Sequence, residues 1–132
     1  MTIFSKIIQG QIPSYKIAEN EKFFAFLDIF PLQQGHTLVV PKVEVDKIFD
    51  VPDAYLNELM HFVKPIAKAI ETAFDCNRVS MVTVGLEVPH AHVHLIPINK
   101  AADIDFSNPK LSFTPAEFIE IQERIIRNIA SI

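Results

Sequence analysis

The most informative stretch of this sequence is residues 89–97, which read PHAHVHLIP. Three of the five histidines of the chain, His90, His92 and His94, alternate there with Ala91 and Val93. Successive side chains of a β-strand point to opposite faces of the sheet. The spacing therefore predicts a strand over residues 90–96, with three imidazoles lining one surface and the apolar side chains filling the other.

Three interpretations are compatible with such a row of histidines. The row could be the half-solvated face of an ordinary strand, but three histidines in strict register make this the least favoured interpretation. It could supply nitrogen ligands to zinc in an open catalytic site. It could also serve covalent catalysis, in which a neutral imidazole attacks phosphorus while its neighbours fix its tautomer and hold the phosphate oxygens.

The segments before this stretch predict four more strands. Residues 22–29 are rich in phenylalanine, and a turn over 33–35 separates them from a second strand over 36–40, which favours an antiparallel hairpin. An extended segment over 15–18 precedes the hairpin, and a strand over 78–84 precedes the histidine row.

Helices are predicted at both ends and in the middle of the chain. Residues 2–9 have one apolar face, and 52–74 repeat apolar residues at helical spacing, with a kink expected at Pro65. Residues 114–117 read TPAE, a capping box that begins a C-terminal helix. Hairpin-like strand pairs separated by helices indicate an α+β fold with an antiparallel sheet of about five strands, a long helix and a C-terminal helix.

Composition narrows the function without naming it. The 132 residues are 49% hydrophobic and 21% charged, which predicts one globular domain over 1–132 with no secretory signal and no membrane span. A formal net charge of -4 argues against a partner that is a nucleic-acid polymer. Only three glycines occur, so a glycine-rich phosphate loop is excluded. The single cysteine, Cys76, fits a reducing compartment and hence a cytoplasmic location.

The histidine row resembles the signature of the histidine triad (HIT) family of nucleotide-binding hydrolases and transferases, in its Hint-like branch. Four blocks upstream resemble family blocks in order and at typical spacing: IFSKII at 3–8, IP at 12–13, AFLDIFP at 25–31 and GHTLVVPK at 35–42. The resemblance implies a HIT-like α+β fold and covers most of residues 2–99. Residues 100–132 form a C-terminal extension without a family motif.

The resemblance implies a role for each histidine of the site. His92 corresponds to the nucleophile that forms a covalent nucleotidyl-histidine intermediate. His90 corresponds to the residue whose backbone carbonyl accepts the other ring N–H of the nucleophile. His94 corresponds to a phosphate contact beside the leaving group, and His36 to a fourth histidine near the triad.

The resemblance also implies how a purine nucleotide or adenylated small molecule would be bound, with no cofactor and no metal. Asp28 corresponds to the carboxylate that holds the ribose hydroxyls, although from the sequence alone it could merely cap a turn. An apolar slot for the base is implied at residues that could otherwise be plain core: Ile3, Phe4, Ile7, Phe26, Ile29 and Leu38. Members are typically homodimers, and Tyr55, Leu59 and Phe62 on the long helix are candidates for that interface.

The chain departs from the family pattern in three places. The loop before the triad is short and has Leu86 and Glu87 where relatives carry a glutamine and a serine that help hold phosphate and leaving group. The N-terminal cysteines that bind metal in many relatives are absent, with Ser5 and Lys6 in that stretch. Glu44 lies where many relatives have a histidine after Pro-Lys.

These observations predict a nucleotide phosphoramidase, or a nucleotidyl hydrolase or transferase, that acts on nucleoside 5'-phosphoramidates or adenylated compounds through His92. Two alternatives stay open. The first is a metal-dependent hydrolase with His90, His92 and His94 as ligands. The second is a nucleotide-binding module with little catalysis, which the departures at Leu86 and Glu87 make credible.

Overall fold

The computed structural model describes residues 1–129, which form a five-stranded antiparallel sheet in the order β1-β2-β3-β5-β4 with helices on both faces. The predicted α+β fold is therefore confirmed. The strands are β1 Lys16–Glu19, β2 Phe23–Leu27, β3 Thr37–Pro41, β4 Arg78–Val82 and β5 Val93–Ile98. The helices are α1 Ile3–Ile8, α2 Asp53–Ala73 and α3 Pro115–Ile129, with short 3-10 turns at Ile48–Asp50 and Ala101–Ile104.

The predicted hairpin of β2 and β3 lies at the centre of the fold and separates two apolar clusters. Its register pairs Phe26 with Leu38 and Ala25 with Val39. Because side chains alternate along a strand, Phe26 and Leu38 join one cluster with α1, and Ala25 and Val39 join the larger core beneath α2 and α3. β2 is consequently buried on both faces, which explains its nearly continuous apolar sequence.

The two long helices follow the sequence signals closely. α2 runs continuously across Pro65, and the kink expected there stays a prediction. α3 begins with the predicted capping box, since Thr114 Oγ1 accepts from the Glu117 N–H at 3.2 Å and Glu117 Oε1 accepts from the Thr114 N–H at 2.8 Å. Phe118, on α3, packs in the same core as the strands. The single-domain prediction stays a prediction, and residues 130–132 of the predicted extension lie outside the described part of the chain.

The strand that carries the histidines begins later than predicted. β5 starts at Val93, so the expectation of a strand from residue 90 was wrong. The reason lies in the backbone hydrogen bonds. The His90 N–H donates to Val88 O, the Ala91 N–H donates to Val45 O, and His92 O accepts from Thr83 Oγ1. These backbone groups therefore form hydrogen bonds outside the sheet. Of the three histidines, only His94 lies within β5.

Three residues of α2 were predicted to lie in a dimer interface. Tyr55, Leu59 and Phe62 are partly buried against the main core, and the Phe62 ring stacks on Phe23 with centroids 5.3 Å apart. Each side chain keeps some exposed surface, and its place in an interface stays a prediction. Within residues 1–129, all helices are too short or too polar to cross a membrane.

Candidate active site

His92 is held in one tautomer by the backbone. Its Nδ1 lies 2.7 Å from the carbonyl oxygen of His90. A carbonyl oxygen only accepts hydrogen bonds, so Nδ1 carries the proton and Nε2 of the neutral ring keeps its lone pair. Phe4 packs edge-on against this ring, with centroids 4.9 Å apart. A fixed imidazole with a free Nε2 lone pair is the form in which histidine acts as a nucleophile.

His90 does not share an open surface with the other two histidines, contrary to the prediction of three imidazoles in a row. It is fully buried, and its Nε2 lies 2.8 Å from Pro41 O while its Nδ1 lies 2.8 Å from Thr2 Oγ1. Both ring nitrogens are thus engaged by other protein groups. Metal ligation by His90, His92 and His94 together would require breaking one of these two contacts, so this geometry argues against the three-ligand alternative.

His94 is oriented by a chain of hydrogen bonds that starts at the backbone. The Leu32 N–H donates to His36 Nδ1 at 3.0 Å, so the proton of neutral His36 resides on Nε2. His36 Nε2 lies 2.9 Å from His94 Nδ1 and donates to it. The proton of neutral His94 is therefore on Nε2, which makes this atom a hydrogen-bond donor.

Burial keeps these histidines uncharged. It lowers the pKa of His36 to about 4, with a further contribution from the positive charge of Lys110. Burial, aided by His36 and His92, lowers the pKa of His94 to about 3. Burial also lowers the pKa of His92, against the opposing effect of the hydrogen bond to His90 O. At neutral pH the site consists of neutral imidazoles with defined tautomers.

The rings of His92 and His94 are neighbours, with centroids 5.0 Å apart. His92 presents a lone pair on Nε2, and His94 presents an N–H on Nε2. The pair can therefore attack an electrophilic centre and at the same time donate a hydrogen bond to an oxygen attached to that centre.

Asp28 lies next to this pair and also stabilises a turn. Its Oδ1 accepts from the Phe30 N–H at 2.8 Å, and its Oδ2 is 3.6 Å from His36 Nε2. Side-chain donor atoms of Asp28, His36 and His94 lie within 4.8 Å of one another, close enough to be considered as metal ligands. They do not suit a metal as they stand, because His36 Nε2 carries a proton and His94 Nδ1 already accepts it.

The residues predicted to form a slot for a base fall into two groups. Phe4, Ile7, Phe26 and Leu38 are buried together in the cluster beneath α1, whereas Ile3 and Ile29 are about half exposed. His94 pairs with Val82 and Leu38 in the sheet, so it extends toward the same face as this cluster. The structure therefore brings the apolar group and the histidines to one side of the sheet.

Several contacts of the site could not be predicted from the sequence. Thr2 and the carbonyl of Pro41 hold His90, and the Leu32 N–H holds His36. Phe106 packs edge-on against His94 with centroids 4.9 Å apart. No local pattern signals these contacts, because each depends on chain segments that meet only after folding.

The loop before the histidines places two side chains at the surface. Leu86 is 88% exposed, and Glu87 is also exposed. The negative charge of Glu87 acts to raise the pKa of His92, in opposition to burial. The carboxylate therefore lies close enough to His92 to influence it electrostatically.

A five-stranded antiparallel sheet with fixed neutral histidines on the α1 face defines an α+β protein with a histidine-based site. Residues 9–101 match the model of the HIT domain, and the chain belongs to this family.

Two curated relatives and one solved structure illustrate the similarity. Adenosine 5'-monophosphoramidase HNT1 of Saccharomyces cerevisiae is 41% identical over 96 residues, which cover 72% of this chain and 61% of that protein. The adenosine 5'-monophosphoramidase hnt1 of Schizosaccharomyces pombe is 33% identical over 129 residues, which cover 96% of this chain and 97% of that protein. The structure of a hypothetical histidine triad nucleotide-binding protein from Sulfolobus tokodaii superposes with a TM-score of 0.85 at 27% identity, covering 97% of this chain and 91% of that one.

Proposed function

We propose that this protein is a nucleotide phosphoramidase that hydrolyses nucleoside 5'-phosphoramidates or related adenylated compounds through a covalent intermediate on His92. The observation that carries the proposal is the hydrogen bond from His92 Nδ1 to His90 O, because it leaves Nε2 unprotonated beside the Nε2–H of His94. The relatives named adenosine 5'-monophosphoramidase support the choice of a phosphoramidate as substrate.

In the first step, His92 Nε2 attacks phosphorus and forms an N–P bond. The P–N bond to the leaving group breaks, its electron pair goes to the leaving nitrogen, and the amine takes up a proton from solvent. The Nδ1–H stays on the imidazole, so His92 becomes cationic and His90 O stabilises that charge. His94 Nε2–H donates to a non-bridging phosphoryl oxygen, where negative charge develops in the transition state.

In the second step, a water oxygen attacks phosphorus and the bond to His92 Nε2 breaks. The water proton passes to solvent and the nucleoside monophosphate leaves. His92 returns to its neutral tautomer because Nδ1 has stayed bonded to His90 O throughout. One difficult displacement is thereby divided into two easier ones, and the cationic imidazole is a good leaving group.

We assign nucleotide binding to the groups around the histidines. Asp28 would hold the ribose hydroxyls with Oδ2, since Oδ1 is engaged by the Phe30 N–H. The purine would lie against the apolar group Ile3, Phe4, Ile7, Phe26, Ile29 and Leu38, of which Ile3 and Ile29 are already exposed. Cys76 as the single cysteine agrees with activity in a reducing compartment such as the cytoplasm.

The test is a trapping experiment with adenosine 5'-monophosphoramidate labelled at phosphorus. Rapid acid-free denaturation should capture label on the wild-type protein as an acid-labile histidine adduct, and peptide mapping should locate it at His92. The variant His92→Ala should bind nucleotide and retain no label. Turnover that requires added metal and is lost with chelator would support the metal alternative. Nucleotide binding without turnover would support a binding module, and either result would overturn the proposal.

We also propose that the protein is a homodimer, joined through the edge strand β4 and the neighbouring part of α2. β4 is an edge strand of the sheet formed by residues 1–129, and Met81 on β4 and Met60 on α2 are about half exposed. An unpaired edge beside exposed apolar side chains favours pairing with a second copy. Met81→Glu should convert the dimer into a monomer in sedimentation analysis, and an unchanged mass would contradict this interface.

A further inference from the structure

The N-terminus is linked to the histidine site by a continuous hydrogen-bonded network. Thr2 Oγ1 lies 2.8 Å from His90 Nδ1. The Thr2 N–H donates to Glu44 Oε1 at 2.6 Å, and Ser5 Oγ donates to the same oxygen at 2.7 Å. We refer to Thr2, Ser5 and Glu44 as the N-terminal clasp. It joins α1, the loop after β3 and His90, which are far apart in the sequence.

The direction of each hydrogen bond in the clasp follows from counting protons. His90 Nε2 faces Pro41 O and must donate to it, so Nδ1 of the neutral ring is an acceptor. The Thr2 hydroxyl has one proton and lies 2.8 Å from His90 Nδ1 and 3.2 Å from Ser5 Oγ, so we assign its hydrogen bond to the nearer acceptor, His90 Nδ1. The same oxygen accepts from the Ser5 N–H at 3.1 Å, which caps α1. One hydroxyl thus begins the helix and completes the hydrogen bonding of a fully buried imidazole.

The clasp acts on the nucleophile through two routes. His90 is fixed at both ring nitrogens, and its carbonyl oxygen is the acceptor for His92 Nδ1. Phe4 in α1 packs against both rings, with centroids 5.8 Å from His90 and 4.9 Å from His92. A shift of Thr2 or of Glu44 would therefore move the carbonyl that fixes the His92 tautomer and the ring beside it.

We propose that Thr2 and Glu44 are positioning residues for the reaction at His92, acting through His90. The proposal rests on the proposed function of His92. The clasp holds the His90 carbonyl where it accepts the Nδ1 proton of His92, and Glu44 holds Thr2 through its backbone N–H. The N-terminal clasp orients the nucleophile and does not contribute to nucleotide affinity.

The decisive comparison is between Thr2→Val and Thr2→Ser. Valine has nearly the shape of threonine without the hydroxyl, whereas serine keeps the hydroxyl. We expect Thr2→Val to lower kcat about 10- to 100-fold with KM within about threefold, because a misplacement of about 1 Å can cost 10²-fold. Thr2→Ser should restore most of kcat. A merely structural role would lower stability and leave kcat of the folded protein unchanged.

Thr114→Val is the matched control for loss of a helix cap. Thr114 caps α3 as Thr2 caps α1, but its hydroxyl contacts Glu117 rather than a histidine. Thr114→Val should lose stability and keep kcat. Glu44→Ala should lower kcat about threefold to tenfold, and Glu44→Gln should rescue it, since an amide oxygen can accept both hydrogen bonds. Asp46→Ala, an exposed acidic residue in the same loop, controls for charge.

A spectroscopic measurement tests the clasp without relying on turnover. Nitrogen NMR of the imidazoles should show His92 of the wild type protonated only at Nδ1 near neutral pH, and a mixture of tautomers in Thr2→Val. Wild-type kcat together with an unchanged His92 signal in Thr2→Val would overturn the proposal. If the wild type itself shows no turnover, the proposed function fails, while the NMR result still decides the role of the clasp. Should Thr2→Val not fold, Glu44→Ala and Glu44→Gln give the same comparison.

Discussion

The two halves of the histidine site use the same side chain for opposite purposes. In the half formed by His90 and His92, a backbone carbonyl accepts a hydrogen bond from the Nδ1–H of His92, which leaves the lone pair on Nε2. In the half formed by His36 and His94, a neighbouring imidazole donates to His94 Nδ1 and leaves a proton on Nε2. The partner at Nδ1 therefore decides whether Nε2 of a neutral histidine presents a lone pair or a proton.

Removing the Nε2 lone pair of His92, in the half formed by His90 and His92, should have the largest effect on kcat. We expect His92→Ala to lower kcat for adenosine 5'-monophosphoramidate by about 10⁴-fold or more, since loss of a nucleophile removes the covalent route altogether. Single-turnover kinetics and nucleotide binding should be measured together. A His92→Ala variant that still turned over within tenfold of wild type would show that this lone pair is not the nucleophile.

Removing the donor of the second half should have a smaller effect on the same reaction. We expect His94→Ala to lower kcat about 10²- to 10³-fold, which is the usual consequence of losing one hydrogen bond to a developing charge. The covalent adduct on His92 should still form, but slowly. His94→Asn, which keeps an N–H donor, should recover part of the rate. Equal rates for the two variants would mean that the Nε2–H is not what His94 contributes.

Gly35 lies in the turn before His36, so a substitution there alters the half formed by His36 and His94 without changing a histidine. Gly35 has φ of 95°, and a Cβ there would lie 2.6 Å from the ring of Phe74, which is buried and lies beneath the guanidinium of Arg124. Because the strain of a left-handed residue adds to the clash, Gly35→Ala should reduce the free energy of unfolding by about 3 kcal/mol. Urea denaturation measures this.

Gly10→Ala is the matched control for the backbone strain alone. Gly10 has φ of 78°, but a Cβ at this position meets no heavy atom of the described part of the chain within 4 Å. Its cost should be limited to about 1 kcal/mol or slightly more. Equal losses for the two variants would show that Phe74 gives way and that the turn before His36 is not held by packing.

The sequence predicted the fold well because most of its signals are local. The Thr114 capping box, the apolar repeat of α2 and the hairpin of β2 and β3 depend on residues near one another in the chain. The start of β5 was predicted wrongly because the His90, Ala91 and His92 backbone groups bond to Val88, Val45 and Thr83. Tertiary hydrogen bonds of this kind override an alternating pattern.

The candidate site could be predicted only as a set of residues. The spacing of the histidines suggested equivalent rings on one face, yet both ring nitrogens of His90 are engaged by protein groups, and the Nδ1 partners give His92 a different tautomer from His94. The partner of His92 is a backbone carbonyl, a group that is present at every position and carries no residue-type signal. The tautomers, and with them the division of roles, therefore emerge only from the folded structure.

The low pKa values of the second half predict a dependence of stability on pH. His36 and His94 have pKa values of about 4 and about 3 when folded, below the ordinary value of 6.5, so the unfolded chain binds more protons between these limits. Stability should be complete above pH 6.5 and fall as the pH drops toward 4, by about 1.4 kcal/mol per pH unit for each histidine. Urea denaturation at pH 7, 6 and 5 measures the slope.

Variants can separate the contribution of His94 to this pH dependence from that of the aspartate and glutamate side chains. His94→Asn removes one buried imidazole and should reduce the slope by about 1.4 kcal/mol per pH unit. A slope that is the same in His94→Asn and in the wild type would mean that His94 is not held neutral by the fold.

The smallest expected effect on kcat comes from substitution of Phe106, whose ring covers His94. Phe106 packs on His94, and Lys110 lies near its ring at 5.9 Å from the centroid. Phe106→Ala should admit water, weaken the burial that lowers the pKa of His94, and reduce kcat less than about tenfold near neutral pH. The loss should grow as the pH falls, because a charged His94 can no longer accept the hydrogen bond from His36. The groups that face His94, namely His36, His92 and Asp28, together with nearby Lys110, are unchanged in the variant. Phe106→Leu, which keeps an apolar cover, should behave like wild type; if it instead behaves like Phe106→Ala, the edge of the aromatic ring rather than exclusion of water is what the second half requires.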